Sequence, residues 1–207
     1  MIITLSLTGN PDVVCYARIA RTPTDNTMTT RIALLRAINV AGHQKIAMAD
    51  LRVLFEDLGF DDVRSVLQTG NVIFSAKSSS TSALERHLEA ESEKRLGLGT
   101  DFFVRSVKQW SQVIADNPFP AEAERAPSHL LVQFLKKSPV AGGVEALQAA
   151  IRGPEIVRLV GKQLYVVFPD GIGDSKLTTK IVERNLGVVG TGRNWNTVLK
   201  IGKLASG

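Results

Sequence analysis

The stretch that most restricts the fold is Arg31–Asn39, RIALLRAIN. Read as a strand, it puts Ile32, Leu34 and Ile38 on one side and Ala33, Leu35 and Ala37 on the other. A strand that is apolar on both sides needs cover on both, so it is expected at the centre of a sheet. The polar residues that follow, up to Lys45, are expected to form the loop into a helix. Arg36 interrupts the apolar pattern. A charge there needs either a carboxylate or ligand to face, or a sheet side open enough to reach solvent.

The rest of the chain supplies the cover. Met48, Leu51, Leu54, Phe55 and Leu58 recur at helical spacing, and Gly59 stops that helix. Strands are expected at Val63–Leu67 and Asn71–Ala76, joined by a tight turn at Thr69-Gly70. A serine-rich loop, residues 78–81, leads to a helix over Ser82–Leu96, and Asp101–Val107 reads as a further strand. This β-α-β-β-α-β order is the ferredoxin-like split βαβ unit. A helix over Lys108–Ala115 and a proline-containing linker, 117–128, precede a second run of the same order. It comprises a strand at Leu130–Leu135, a helix at Val144–Ile151, a hairpin of Ile156–Val160 with Gln163–Phe168, a helix at Leu177–Leu186, and a short strand at Val188–Gly190. The two hairpin-plus-helix sections lie about ninety residues apart, as duplication would place them. The last helix, Trp195–Ala205, has no counterpart in that reading of the first unit. The expectation is an α+β protein of two ferredoxin-like (βαββαβ) units in tandem with antiparallel sheets, spanning 28–116 and 129–207, plus an extra C-terminal helix. Residues 1–27 stand outside the pattern as an N-terminal extension ending in the loop-like TPTDNT. They are expected to be disordered or an upstream start with Met28 the true one, or else a functional arm.

Composition removes several function classes. No apolar run reaches the roughly 18 residues of a membrane span. A single cysteine, Cys15, excludes an internal disulfide framework, and three scattered histidines leave no structural zinc pattern. A cytoplasmic setting is expected, with no membrane partner. The formal charge of +5 is unevenly placed. Lys176, Lys180, Arg184, Arg193, Lys200 and Lys203 face only Glu183 in the last section of the chain, which favours an anionic partner. The alternative is a set of lysines that keeps a surface helix soluble.

Topology converges the polar groups. In a split βαβ unit the end of strand one, the turn between strands two and three, and the start of helix one share an edge. That edge holds Arg36, Asn39, Gly42, His43, Lys45, Gln68, Gly70 and Asn71. Glycines for close approach, amides, a lysine and a helix N-terminus suit a phosphate or carboxylate. Equally, Asn39 caps a turn and Thr69-Gly70 is a hairpin turn with no ligand. A secondary candidate set lies in two later loops: Ser175 and Lys176, and Arg193, Asn194, Trp195 and Asn196. The spacing around Gly173 and Lys176 fails the phosphate-loop pattern, and Ser175 reads better as a helix N-cap. Trp195 reads as an anchor capped by Asn194, or as a stacking platform for a base.

No catalytic constellation is present: there is no nucleophile elbow and no metal-spaced histidine pair. The sequence points to no cofactor. The expected partner is a nucleotide, a nucleic acid or a small anionic ligand. The alternatives are an enzyme acting on a phosphorylated or carboxylated metabolite, with His43 or Lys45 assisting, and a structural or protein-interaction module.

The blocks ALLRAINVAGHQK (Ala33–Lys45), Met48–Gly59, QTGNVIF (Gln68–Phe74), VRS (Val104–Ser106), Asn117-Pro118-Phe119, Ser175-Lys176-Leu177 and RNWNT (Arg193–Thr197) occur in the order of a known family. On them the chain resembles DUF1697, an uncharacterised bacterial domain family, from about Met28 to the C-terminus. The resemblance implies an α+β fold of ferredoxin-like units and no established activity.

Overall fold

The computed structural model describes residues 27–38 and 46–207. Apart from Thr27, the expected extension lies outside the described residues, and so do Asn39, Gly42, His43 and Lys45. The first unit runs β1 (Met28–Leu35), α1 (Met48–Asp57), β2 (Asp61–Ser65), β3 (Asn71–Lys77), α2 (Thr81–Leu96), β4 (Phe102–Ser106). Its strands pair in the order β2-β3-β1-β4, every neighbour antiparallel. Then come α3 (Val107–Ala115), the short α4 (Pro120–Arg125) and a 3-10 turn at Pro127–His129, so much of the stretch read as a linker is helical. The second unit runs β5 (Leu130–Leu135), α5 (Gly143–Ala150), β6 (Ile156–Val160), β7 (Gln163–Val167), α6 (Thr179–Leu186), β8 (Gly190–Asn194), in the strand order β6-β7-β5-β8. The C-terminal helix is α7 (Trp195–Ser206). The protein is therefore α+β with two four-stranded antiparallel sheets. As expected, β1 is internal, between β3 and β4.

Two local differences from the sequence reading have clear causes. Strand β1 stops at Leu35, and Ala37 takes a left-handed φ of 50°. The chain turns there, so Ile38 packs with Ala33 and Leu35 instead of with Ile32 and Leu34. The last strand is Gly190–Asn194, not Val188–Gly190. Its polar residues hide the strand because one face must be bare: the Gln133 side chain lies across it. A Cβ on Gly190 would sit 2.8 Å from Gln133 Nε2, and one on Gly192 would sit 3.0 Å from its Oε1.

Three apolar clusters hold the layers. One packs α1 and α2 on the first sheet, through Leu51, Phe55, Leu84 and Leu88 against Ala33, Leu35 and Phe74. A second does the same for α5 and α6 on the second sheet, through Leu147, Val182 and Leu186. The third belongs to both units, joining Ile32, Leu34 and Phe103 to Val132, Phe134 and Tyr165, with Trp110 of α3 and Trp195, Val198 and Ile201 of α7. Helix α7 leaves β8 as α3 leaves β4. Ser106 caps α3 by accepting from Gln109 N, and Asn194 caps α7 by accepting from Thr197 N. The C-terminal helix read as unmatched is thus the partner of α3, against which it packs.

Tyr165 ties β7 to α3 by donating from its hydroxyl to Val113 O at 2.7 Å. Burial, helped by the charge of Asp116, pushes its phenol far above the ordinary value. A raised folded value contributes stability that is complete below the unfolded value near 10 and is lost as pH climbs towards the folded one. Tyr165→Phe is expected to cost about 1 kcal/mol at pH 8. That deficit is expected to shrink between roughly pH 10 and pH 11 as the wild-type protein loses its phenol contribution. Urea titrations across that range measure the gap.

Candidate functional site

The units meet through reciprocal contacts. Arg105 of β4 lies opposite Ile32 of β1, and Arg193 of β8 lies opposite Val132 of β5. Arg105 Nη2 donates to Leu135 O at the end of β5 (3.1 Å), while Arg193 Nη2 donates to Leu35 O at the end of β1 (2.9 Å). The residue after each central strand reaches across as well. Arg36 Nη2 meets Glu183 Oε2 on α6 at 2.8 Å, and Lys136 Nζ meets Glu85 Oε2 on α2 at 3.1 Å. Those two carboxylates also accept from the edge strands, Glu85 from Val104 N and Glu183 from Gly190 N. Helices α2 and α6 repeat one pattern here, Leu84-Glu85-Arg86-His87-Leu88 and Val182-Glu183-Arg184-Asn185-Leu186. This is the logic of an isologous interface, with each surface meeting its own counterpart, inside one chain. It also explains Arg36: the side chain faces Glu183, with Asp101 at 3.8 Å.

Members of both candidate sets meet in this seam. Asn71 is fully buried. Its Nδ2 donates to Val66 O (2.9 Å) and Thr69 Oγ1 (3.1 Å), and its Oδ1 accepts from Arg193 Nε (2.5 Å). Arg193 donates further to Thr69 O, Gly70 O, Thr191 Oγ1 and Gly192 O at 2.8–3.2 Å. All three guanidinium nitrogens are satisfied by neutral acceptors. Burial lowers the group's pKa to about 10, so it remains charged at neutral pH. Gly70 holds a φ of +68°, and a Cβ there would come within 2.5 Å of Ile38 Cδ1, so only glycine fits under the Arg193 fork. Gln68 is exposed on the same turn. Asn194 caps α7, Trp195 is buried in the shared core, and Asn196 is exposed on the first turn of α7.

Ser175 and Lys176 lie elsewhere, at an open cleft. Thr178, accepting from Ile181 N, caps α6, so Ser175 is not the N-cap that the spacing predicts. The cleft measures about 450 Å³ and lies between the end of α5 and the face of α6, bounded by Ala149, Ile151, Leu177 and Ile181 and by Arg152, Lys176 and Arg184. A second lobe of about 260 Å³ shares Arg152, Gly153, Glu155 and Lys176 with it and continues past Pro154 and Pro169 to Asp170 and Asp174. All three cations are exposed. Among the described residues none of them has a carboxylate partner. Glu155, the one carboxylate lining the larger lobe, accepts from the Ser175 hydroxyl, whose oxygen accepts from Leu177 N.

The first unit shows what this position looks like when closed. Ile156 lies opposite Val167, and Asp61 lies opposite Ser75. Counted from the central strands, Val167 and Ser75 are equivalent, because Tyr165 faces Val132 as Ile73 faces Ile32. Glu155 therefore stands where the first unit has Phe60. That ring packs 4.9 Å from Phe74, 5.8 Å from Phe55 and 6.5 Å from His87, plugging the space. The second unit leaves it open and lines it with cations.

The family model described as "Protein of unknown function (DUF1697)" matches residues 28–165. The chain belongs to this family. No curated protein matches. Among solved structures the DUF1697 chain is similar to the conserved bacterial protein SP0830 from Streptococcus pneumoniae, at 23% identity and a TM-score of 0.69. The alignment covers 86% of this chain and 99% of that one, a likeness of fold. The DUF1697 match takes in Arg152 and Glu155 and ends before Lys176 and Arg184. Sequence reasoning missed Arg152 and Glu155, and counted Arg184 only within the basic C-terminal section, not as a site residue. The repeated helix pattern was the available signal for Arg184, because it sets that residue beside the paired Glu183.

Proposed function

We propose that this protein binds a small anionic ligand, through a phosphate or carboxylate group, in the cleft of the second unit. The observation that carries this reading is the trio Arg152, Lys176 and Arg184, without carboxylate partners, around an open space that Phe60 fills in the other unit. Convergent cations at a concave surface raise the local concentration of anions, and guanidinium groups pair with two oxygens at once. Nucleotides and single-stranded nucleic acid fall within this class, and exposed Lys180 adds a further cation in the first turn of α6, the helix that carries Arg184. The cytoplasmic setting in which such a ligand is met rests on the lone cysteine. Among the described residues no helix is long and apolar enough to cross a membrane.

The test is calorimetric titration with inorganic phosphate, nucleoside phosphates, short oligonucleotides and carboxylates at low and high salt. Binding is expected to weaken with salt. The double variant Lys176→Ala/Arg184→Ala is expected to weaken it about tenfold or more, with thermal stability unchanged because both side chains are exposed. A panel blank at low salt, or a hit indifferent to the substitutions, overturns the proposal.

A further inference from the structure

We infer that the anionic group is the terminal carboxylate of an extended peptide that adds to the second sheet as a strand beside β6; this rests on the cleft being an anion site. Among the described residues strand β6 is the end of its sheet and pairs only with β7. Its outward N–H and C=O groups are a template for another strand.

The duplicated fold again provides a control. The equivalent edge strand β2 is guarded: Asp62 has a φ of 51°, the register breaks between Asp61 and Arg64, and three of its five residues are charged. Bulges and charges of this kind keep foreign strands off an edge. Strand β6, IVRLV, has no bulge and a single charged residue. Its pairing runs without interruption from Ile156↔Val167 to Val160↔Gln163. Its one charge, Arg158, is drawn onto the Phe119 ring, 5.1 Å from the centroid. Ile156 is 48% exposed, a ready apolar contact for an incoming side chain.

Direction links this edge to the cleft. A strand antiparallel to β6 travels from Val160 towards Ile156 and ends beside Glu155 and Gly153, where the two lobes join. Pro154 has no N–H to offer, so pairing stops there. The last residue of the added strand is then next to Arg152 and Lys176, which line both lobes. Among the described residues neither cation is ion-paired with the acidic groups at the opening: Glu155 accepts from Ser175, and Asp170 and Asp174 line the second lobe only. A second copy pairing β6 to β6 uses the same edge but leaves these cations without an anion, so the charge favours a peptide terminus.

The probe is a pool of fluorescein-labelled hexapeptides, randomised in sequence, prepared with a free terminal carboxylate and as the amide. Selective retention of the free acids is expected. Selected peptides are expected to bind about tenfold more tightly than their amides, and to lose that margin with Arg152→Ala/Lys176→Ala. Amides of residues 156–160 are expected to gain hydrogen-exchange protection in the complex. Retention of phosphate but not of free acids overturns this inference and leaves the anion site standing. Failure of both overturns both. Equal binding of acid and amide removes the cleft from the interaction. A concentration-dependent dimer that protects residues 156–160 without peptide makes a second copy the occupant, and also overturns it.

Discussion

Arg193→Met is expected to lower the unfolding free energy by roughly 4 kcal/mol, measured by urea denaturation at neutral pH. Methionine keeps most of the volume, so the loss isolates the hydrogen bonds. Leu35 O, Thr69 O, Gly70 O and Asn71 Oδ1 all lose a charged donor. Leu35 O keeps Thr191 Oγ1 and Gly70 O keeps Leu35 N, so among the described residues the stranded acceptors are Thr69 O and the buried Asn71 Oδ1. Each stranded acceptor costs on the order of 1–3 kcal/mol, and local relaxation keeps the total below the simple sum. Arg193→Lys is expected to recover little, because a point-like ammonium cannot reproduce a planar fork reaching six acceptors. Asn71→Ala in the Arg193→Met background is expected to add less than it does alone, since the two share a bond. A loss under about 1 kcal/mol would mean that water replaces the guanidinium, and would remove Arg193 as the fastening of the seam.

Trp110→Ala is the second large effect, expected at about 4 kcal/mol. The indole is 1% exposed and stacks on Phe134 of the other unit at 4.9 Å with an 11° tilt. It also donates from Nε1 to Val198 O at 3.0 Å, holding α3 to α7. Trp110→Phe keeps much of the ring and loses the donor, so it is expected to cost about 1–2 kcal/mol. The remaining tryptophan, Trp195, lies in the same core and reports unfolding of both variants by fluorescence. Equal losses for Ala and Phe would show that the hydrogen bond, not the stack, carries the contribution.

How much of this was readable depends on where the information resides. The central strand was legible because Ile32–Leu35 is apolar on both sides, a pattern with one good solution. Helices α1, α2, α5 and α6 were legible to within a few residues from apolar spacing, and α1 also from Gly59 just past its end. Strand β8 was not, because its inward positions hold glycines that admit Gln133 and an arginine that serves the other unit. The seam was hidden for a deeper reason. Arg193 is satisfied mainly by backbone carbonyls, and a carbonyl has no residue type to read. The cleft depends on what is missing, a ring at position 155, and on cations from three separated segments. Ser175 and Lys176 drew notice as a loop before a helix, and the chain's fold then set Arg152 and Arg184 beside Lys176.

The pairing of α3 with α7 has a consequence for the covalent order of the chain. Residues 116–129 carry the backbone from the end of α3 to the start of β5, and the matching of β4-α3 with β8-α7 and of β1 with β5 gives the end of α7 and the start of β1 the corresponding places. A circular permutant that opens at residue 129, with Ser206 joined to Met28 by a connector as long as 116–129, keeps every contact of the seam. Which half is made first is then a matter of where the ribosome begins, and such a chain is expected to fold to the same structure.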